Sequence, residues 1–166
     1  MGMKKMKIKI FTDGAVKGNP GGPGGYAAIL VRNKKKKIIS GFDPNTTNNR
    51  MEMRAAIAGL LALKKNSTVE LWTDSEYLYK GMTQWSESWK LRGWKTREGK
   101  PVANQDLWSI LHGLQLNHKI DWHWVRGHNG HKWNELADEY AGQALKQGLK
   151  SIEKLSEDQV KKRKID

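Results

Sequence analysis

The stretch MKIKIFTDG, residues 6–14, decides the start of the fold, because polar and apolar side chains alternate along it. A two-residue period predicts a β-strand with one buried face. Asp13-Gly14 is a dipeptide typical of turns, so we expect the strand to end there. The carboxylate of Asp13 would then lie at the carboxyl end of the first strand.

The periodicity beyond this stretch predicts more strands, followed by an alternation of helices and strands. Segments 26–32 and 37–42 continue an antiparallel meander across a charged turn at residues 34–37. The glycine-rich run 18–25 is predicted to be a loop, and it matches neither nucleotide-binding glycine pattern. Helices are predicted over residues 47–64, 73–82, part of 84–100, 101–116 and 133–145, and strands over 69–73 and 120–125. A capping box at residues 73–76 is predicted to open the second of these helices. The order is roughly βββαβααβα.

The composition points to an anionic polymer as partner. A length of 166 residues fits one domain, and 30 Lys and Arg against 17 Asp and Glu give a net charge of +13. Such a charge favours nucleic acid through phosphate neutralisation. No apolar run approaches the about 20 residues of a membrane span and no signal peptide is recognised, so we expect an intracellular protein without a membrane partner. The absence of cysteine excludes disulfides, thiolate zinc sites and a cysteine nucleophile.

Residues 148–166 are predicted to be a basic, mobile C-terminal tail, distinct from the domain that residues 1–147 form. The tail has six Lys or Arg, four Asp or Glu and few large apolar residues, which is typical of segments that do not pack. Most of the positive charge therefore lies in the domain, where it can form a binding face.

Four acidic residues lie at predicted strand ends or on helix flanks, namely Asp13, Glu52, Asp74 and Asp138. Singly, each has an ordinary explanation as a turn, cap or solvent-exposed acid. In an α/β sheet, however, ligands bind beyond the carboxyl ends of strands, and Asp13 and Asp74 both follow predicted strands. If those strands are parallel neighbours, the two carboxylates meet, and such a cluster needs a cation among its charges. Oxygen-only ligation favours a hard metal such as Mg²⁺.

Seven short segments follow one another along residues 6–146: FTDG (11–14), TTNNRME (46–52), TDS (73–75), TQW (83–85), RGWKT (92–96), DLW (106–108) and WVRGHNGH (124–131), the last followed by Asn134, Glu135 and Asp138. In order and spacing they resemble type-1 ribonuclease H of bacteria. The resemblance implies an α/β, ribonuclease H-like fold. Its mixed five-stranded sheet would have three antiparallel strands, then two parallel ones, with helices on its flanks.

The resemblance also implies an activity, hydrolysis of the RNA strand of RNA–DNA hybrids to leave 5′-phosphate and 3′-hydroxyl ends. The catalytic acids would be Asp13, Glu52, Asp74 and Asp138, holding two Mg²⁺ ions, with Mn²⁺ as the alternative. Asp13 would bridge both ions, Asp74 and Asp138 would complete one site, and Glu52 would complete the other. Such a pair of ions activates water and stabilises the leaving oxygen.

His128 is the further residue with an expected catalytic role. It lies between Gly127 and Gly130, and a surface histidine without a role is the ordinary interpretation. By resemblance it assists proton transfer or product departure. Zinc binding by His128 and His131 is disfavoured, because no third nitrogen or sulfur ligand lies at a recognisable spacing.

Substrate contacts are assigned mainly by resemblance. Trp85 and Trp89 would share a helix face, for which core packing is the usual explanation; by resemblance, Trp89 borders the DNA strand. Trp94 and its basic neighbours fit phosphate contact beside an aromatic surface. The expected substrate-binding residues are Asn19, Thr47 (on a DNA phosphate), Asn48, Asn49, Trp85, Trp89, Arg92, Trp94, Lys95 and Asn104. Contacts to 2′-hydroxyls would select the hybrid.

Two other functions fit part of the pattern. A non-catalytic hybrid-binding module needs only basic and aromatic residues, but acids near phosphates would weaken its binding. A related nuclease of the same fold, such as a DNA integrase or the nuclease domain of a reverse transcriptase, is disfavoured by the absence of a polymerase segment and by the chain's own basic stretch. We therefore expect a cytoplasmic, monomeric ribonuclease H.

Overall fold

The computed structural model describes residues 7–18, 20–126 and 131–165, which form a mixed five-stranded sheet flanked by helices. The strands are β1 (Ile8–Val16), β2 (Gly21–Arg32), β3 (Lys35–Thr47), β4 (Thr68–Thr73) and β5 (Lys119–Trp124), in the spatial order β3-β2-β1-β4-β5. The first three pair antiparallel, whereas β4 runs parallel to both β1 and β5. The predicted sheet is confirmed.

The helices are α1 (Asn48–Leu61), α2 (Glu76–Lys80), α3 (Ser86–Leu91), α4 (Gln105–Asn117) and α5 (Lys132–Ile165). A π-helical turn, Gly81–Trp85, joins α2 to α3 without a break. Counting that continuous segment as one helix gives the predicted order βββαβααβα. None of the helices in the described ranges is both long and apolar enough to cross a membrane.

Successive residues of β1 belong to hydrophobic clusters on opposite faces of the sheet, as the two-residue period predicts. Ile10 packs in the larger cluster, with Leu71 of β4 and Trp108 of α4. Phe11 packs on the other face, with Ala137 of α5. The sheet is therefore covered by α1 and α4 on one face and by α5 on the other. The carboxyl ends of β1 and β4 lie at one edge of the sheet, between these two helical layers.

Two glycine-containing segments predicted to be irregular are strands. β1 does not end in a turn at Asp13-Gly14, because Gly14 pairs with Tyr26 and the strand continues to Val16. The predicted loop 18–25 is also wrong from Gly21 onward, where β2 begins. A Cβ on Gly25 would lie 2.4 Å from the carbonyl oxygen of Ala141. The glycine at this position allows close contact between β2 and α5, and it does not form a turn.

The last helix does not end at residue 145, as predicted, but continues to Ile165. Gly148 lies within this helix, and its backbone packs so closely against the ring of Phe42 that a Cβ would not fit there. Beyond this contact Ile152, Leu155 and other side chains are exposed. The helix gives residues 148–165 a regular backbone, whereas the domain boundary at residue 147 stays a prediction.

Candidate active site

Three carboxylates gather near the carboxyl ends of β1 and β4, beside the start of α1; Asp13 lies within β1, three residues before Val16. Ligand oxygens of Asp13, Glu52 and Asp74 lie within 4.8 Å of one another. Because β1 and β4 are parallel, with Phe11 opposite Trp72, the acids that follow these residues emerge at the same edge of the sheet. The structure thus brings the two strand-end acids together as expected, and it adds Glu52 from the helix.

Glu52 reaches the cluster because the backbone of α1 lies directly against Gly14. A Cβ on Gly14 would be 2.7 Å from Cβ of Met51 and 3.0 Å from the backbone nitrogen of Glu52. Side-chain carbons do not approach other atoms so closely without a shift of one of them. Gly14 therefore allows the helix to approach Asp13.

Asp74 is held by the turn that connects β4 to α2. The hydroxyl of Thr73 accepts a hydrogen bond from the Ser75 backbone at 3.0 Å, and the hydroxyl of Ser75 accepts one from Leu78 at 3.1 Å. Ser75 is therefore the N-cap of α2. The prediction that a capping box at residues 73–76 opens this helix is wrong, because the helix begins two residues later than that box implies. The carbonyl of Asp74 also accepts a hydrogen bond from the Trp124 indole at 3.2 Å. These contacts fix the backbone from which the Asp74 carboxylate extends.

Burial makes the charges of this cluster unfavourable to one another. The exposed fraction is 2% for Asp13 and 3% for Glu52. Burial raises the pKa of Glu52 well above its ordinary value, and the charges of Asp13 and Asp74 raise it further. The Gly14 backbone donates to Oδ1 of Asp13 at 2.9 Å, whereas Oε2 of Glu52 receives no hydrogen bond within the described part of the chain. A largely buried donor set made only of oxygens fits a hard divalent cation.

Three residues with predicted site roles are not in this cluster as described. Asp138 lies on α5 with an exposed side chain, outside the group of acids whose oxygens come within 4.8 Å. His128 and Asn19 fall outside the described residues. Their roles stay predictions.

The first turn of α1 carries three of the predicted substrate contacts next to Glu52. Thr47 is the N-cap, and its hydroxyl accepts a hydrogen bond from the Arg50 backbone at 3.2 Å. A hydroxyl both donates and accepts, and the Thr47 proton has no acceptor within the described residues, so it can be offered to a ligand. Asn48 and Asn49 follow with exposed side chains. Polar groups suited to contact a nucleic acid therefore lie beside the carboxylates.

The predicted common face of Trp85 and Trp89 is confirmed, with ring centroids 5.6 Å apart. Trp89 also packs on the buried Trp108, at 5.4 Å between centroids. The two tryptophans and the exposed Arg92 line an open groove of about 490 Å³. Trp89 therefore contacts the core through Trp108 and also lines the groove.

Trp94 anchors the basic loop that follows α3. Its backbone has a left-handed φ of 63°, and its half-buried ring meets His112 edge-on at 6.0 Å between centroids. Lys95, the next residue, is exposed and pairs with Pro101 in a short β-bridge. This packing supports a structural role for Trp94, while the flanking basic side chains remain at the surface.

Two residues that were not selected from the sequence contact Asn104, and a third binds one of them. Arg50 and Tyr77 hydrogen-bond to its side chain, and Arg50 also binds Asp106. Arg50 and Tyr77 lie 54 and 27 positions from Asn104 in the chain. No local pattern signals contacts over such separations.

A second group of potential ligands, Glu70, Asp121 and His123, lies on β4 and β5. Glu70 is 3.4 Å from the ammonium of Lys7, and the His123 ring stacks on Trp72 at 4.2 Å. Asp121 is exposed and lies 3.2 Å from His123. Because cationic and aromatic neighbours already contact this group, we interpret it as a surface cluster separate from the candidate active site.

Comparisons with known proteins identify the family to which this chain is related. The RNase H family model matches residues 5–146. Ribonuclease H of Polynucleobacter asymbioticus is 56% identical over 142 residues, which cover 86% of this chain and 92% of that protein. Ribonuclease HI of Caulobacter vibrioides is 53% identical over 141 residues, which cover 85% and 94%.

A solved structure leads to the same family. LC9-RNase H1, a type 1 RNase H with the type 2 active-site motif, superposes with a TM-score of 0.77 at 29% identity, over 89% of this chain and 75% of that one. Family model, sequence relatives and solved structure agree over the part of the chain that carries the three carboxylates. The protein belongs to the RNase H family.

Proposed function

We propose that this protein is an endoribonuclease that hydrolyses the RNA strand of RNA–DNA hybrids and leaves 5′-phosphate and 3′-hydroxyl ends. The cluster of the buried Asp13 and Glu52 with the half-buried Asp74, in a chain of the RNase H family, carries the proposal. A module that only binds nucleic acid gains nothing from three acids near phosphates, because like charges repel. The same cluster therefore argues against a non-catalytic function.

The carboxylates of Asp13, Glu52 and Asp74, completed by Asp138, would hold two Mg²⁺ ions, with Mn²⁺ as the alternative. When bound, such ions supply the activated water and the charge stabilisation that in-line phosphodiester displacement requires. The fit rests on the oxygen-only donor set, of which Asp13 and Glu52 are buried, and on the raised pKa of Glu52, which indicates a need for a proton or a cation. His128 would move a proton during turnover.

Substrate would bind along the first turn of α1 and the groove beside α3. Thr47 offers a hydroxyl proton to a phosphate oxygen, and the exposed amides of Asn48 and Asn49 offer donors and acceptors for 2′-hydroxyls. Trp85, Trp89 and Arg92 line the groove, where an aromatic surface next to a cation suits the second strand. The remaining expected contacts, Asn19, Trp94, Lys95 and Asn104, complete this proposed surface.

The test is a panel of labelled substrates of one sequence, prepared as hybrid, duplex DNA and duplex RNA, each with and without Mg²⁺. We expect cleavage of the hybrid alone, only in its RNA strand and only with the metal. Asp13→Asn is the control that distinguishes this activity from a contaminating nuclease. Hybrid binding without products would support the binding module, and cleavage of duplex DNA would support a related nuclease.

We also propose that the active form is a cytoplasmic monomer. The three clustered carboxylates and the proposed fourth, Asp138, all belong to a single chain, so the chemistry needs no second copy. Light scattering at the concentration used for activity tests the oligomeric state, and cell fractionation tests the location.

A further inference from the structure

Asn104 occupies the N-cap position of α4 but does not cap that helix. Its backbone is left-handed, with φ 60° and ψ 28°, and its side chain makes no capping hydrogen bond. An asparagine at this position ordinarily accepts a hydrogen bond from the first turn of its helix. A side chain directed away from that role, on an uncommon backbone conformation, is a reason to look for a function.

The amide of Asn104 is held from two sides. Arg50 donates to Oδ1 at 3.2 Å, and Nδ2 donates to the Tyr77 hydroxyl at 3.1 Å. Because a guanidinium only donates, the carbonyl oxygen of the amide faces Arg50 and its nitrogen faces Tyr77. These contacts use one of the two protons on Nδ2. The second proton has no acceptor within the described residues and can be offered to a ligand.

Both partners of Asn104 are themselves fixed. Arg50 binds the Asp106 carboxylate through two nitrogens at 2.9 and 2.7 Å, a paired geometry that orients the guanidinium plane. The same contact raises the pKa of Arg50 and lowers the pKa of Asp106, so the two stay charged at neutral pH. The Tyr77 hydroxyl also accepts a hydrogen bond from the indole of the fully buried Trp108 at 3.2 Å.

Arg50 also connects Asn104 to the first turn of α1. Its backbone N–H donates to the Thr47 hydroxyl, and its side chain donates to Asn104. The two residues that offer a remaining proton, Thr47 and Asn104, are thus bound to the same arginine. Two donors bound to one arginine suit an anionic ligand, and phosphate is the anion that a nucleic acid supplies.

We propose that Arg50 and Tyr77 are positioning residues, which orient the Asn104 amide so that its second N–H donates to a phosphate oxygen of the bound hybrid. The inference rests on the proposed function, because it takes the hybrid as the ligand. Asn104 makes the contact, and the other two act through it. Their effect is on binding and not on the chemistry of the carboxylates.

The experiment is a double-mutant cycle on hybrid cleavage, with kcat and KM measured separately. Tyr77→Phe removes only a hydroxyl, and we expect it to raise KM for the hybrid about two- to tenfold, the equivalent of one hydrogen bond, with kcat little changed. In the Asn104→Ala background, Tyr77→Phe should not raise KM further. Tyr79→Phe is the matched control, because it lies on the same helix and its hydroxyl makes no hydrogen bond within the described residues.

Stability measurements distinguish positioning from a structural effect. Tyr77→Phe leaves the buried Trp108 indole without its acceptor, so it should lower stability to denaturant in both backgrounds. A structural role alone would then raise KM equally in both backgrounds, and that result would overturn the inference. A wild-type KM in Asn104→Ala would overturn it too. If the wild-type protein does not cleave hybrid at all, the proposed function fails first.

Asn104→Asp tests the direction of the hydrogen bond. The aspartate keeps an acceptor for Arg50 but has no N–H to offer, and it adds a negative charge. We expect KM to rise at least as much as in Asn104→Ala. A KM equal to that of the wild type would show that Asn104 does not donate to the substrate.

Discussion

Gly14 of β1 and Met51 of α1 are in such close contact that a Cβ on Gly14 would lie 2.7 Å from the Cβ of Met51. The same approach brings the backbone of Glu52 to 3.0 Å from that point. The distance between strand and helix at this contact therefore determines how near Glu52 comes to Asp13. The site depends on the absence of one methyl group.

Gly14→Ala should consequently damage both stability and activity. The added methyl group has to push α1 from the sheet, and overpacking of this kind costs about 1–3 kcal/mol of the free energy of unfolding. Cleavage should fall further than the unfolded fraction explains, because Glu52 moves away from Asp13. Gly113→Ala in α4 is the control: a Cβ there meets open space among the described residues, so helix propensity should stabilise the variant by about 0.5–1 kcal/mol. Normal activity in a folded Gly14→Ala protein would contradict this account.

The raised pKa of Glu52 predicts how stability without metal depends on pH. The native state holds a proton on Glu52 up to a higher pH than the unfolded chain does, mainly because the group is buried. Stability therefore falls as pH rises from the ordinary glutamate pKa, about 4.3, through the raised one. Glu52→Gln should remove this decline. Denaturant titrations in chelator at several pH values test it, and identical profiles for both proteins would disprove it.

The interpretation of Asp13 as a ligand predicts that Asp13→Asn abolishes cleavage but leaves hybrid binding largely intact. Neutralising Asp13 removes repulsion from Glu52 and Asp74, so without metal the variant should be no less stable than the wild type. Full activity of the wild type in excess chelator would refute the metal requirement. A melting temperature lowered by several degrees in metal-free buffer would identify Asp13 as structural.

Most of the fold followed from periodicity, because burial on a sheet leaves a two-residue pattern. Ile10 and Phe11 could be assigned to opposite faces from sequence, and both strand-end acids could be expected at one edge once β1 and β4 were taken as parallel. The glycines could not be interpreted in the same way. Gly14 and Gly25 suggested turns, but both lie in strands. Glycine is needed there because a helix packs directly against the strand at each position.

Contacts between distant segments account for the rest of what the sequence did not indicate. Gly148, which suggested an end to the last helix, packs against Phe42 of β3, more than a hundred positions earlier. The hydrogen bonds around Asn104 join three helices, and the amphipathic patterns of α2 and α4 are too short to reveal them. Asp138 was selected by family resemblance, and its metal role stays a prediction.

The basic loop after α3 should bind phosphates of the hybrid. Replacing Arg92, Lys95 and Arg97 together by alanine should weaken hybrid binding and flatten its salt dependence, by about 0.9 in logarithmic slope for each phosphate that is no longer neutralised on a B-form duplex. The rate at saturating substrate should change little. Replacing Lys34, Lys35 and Lys37 removes the same charge from the β2–β3 hairpin, at the opposite end of β1 from Asp13. Equal slopes in the two triple variants would exclude the loop from the binding face.

His128 is predicted to assist proton transfer and not to hold a metal. A positioned acid or base contributes about 10²- to 10⁴-fold to rate, so His128→Ala should slow cleavage but keep measurable, metal-dependent activity, unlike Asp13→Asn. Because imidazole titrates near neutrality, the pH dependence of the rate between about pH 5 and 8 should also change. His131→Ala is the control from the same part of the chain: its ring packs on Trp72 at 5.3 Å, so its loss should alter packing without this change in pH profile. If His128→Ala is as inactive as Asp13→Asn, or binds the metal far more weakly than the wild type, His128 is a ligand and its proposed role is wrong.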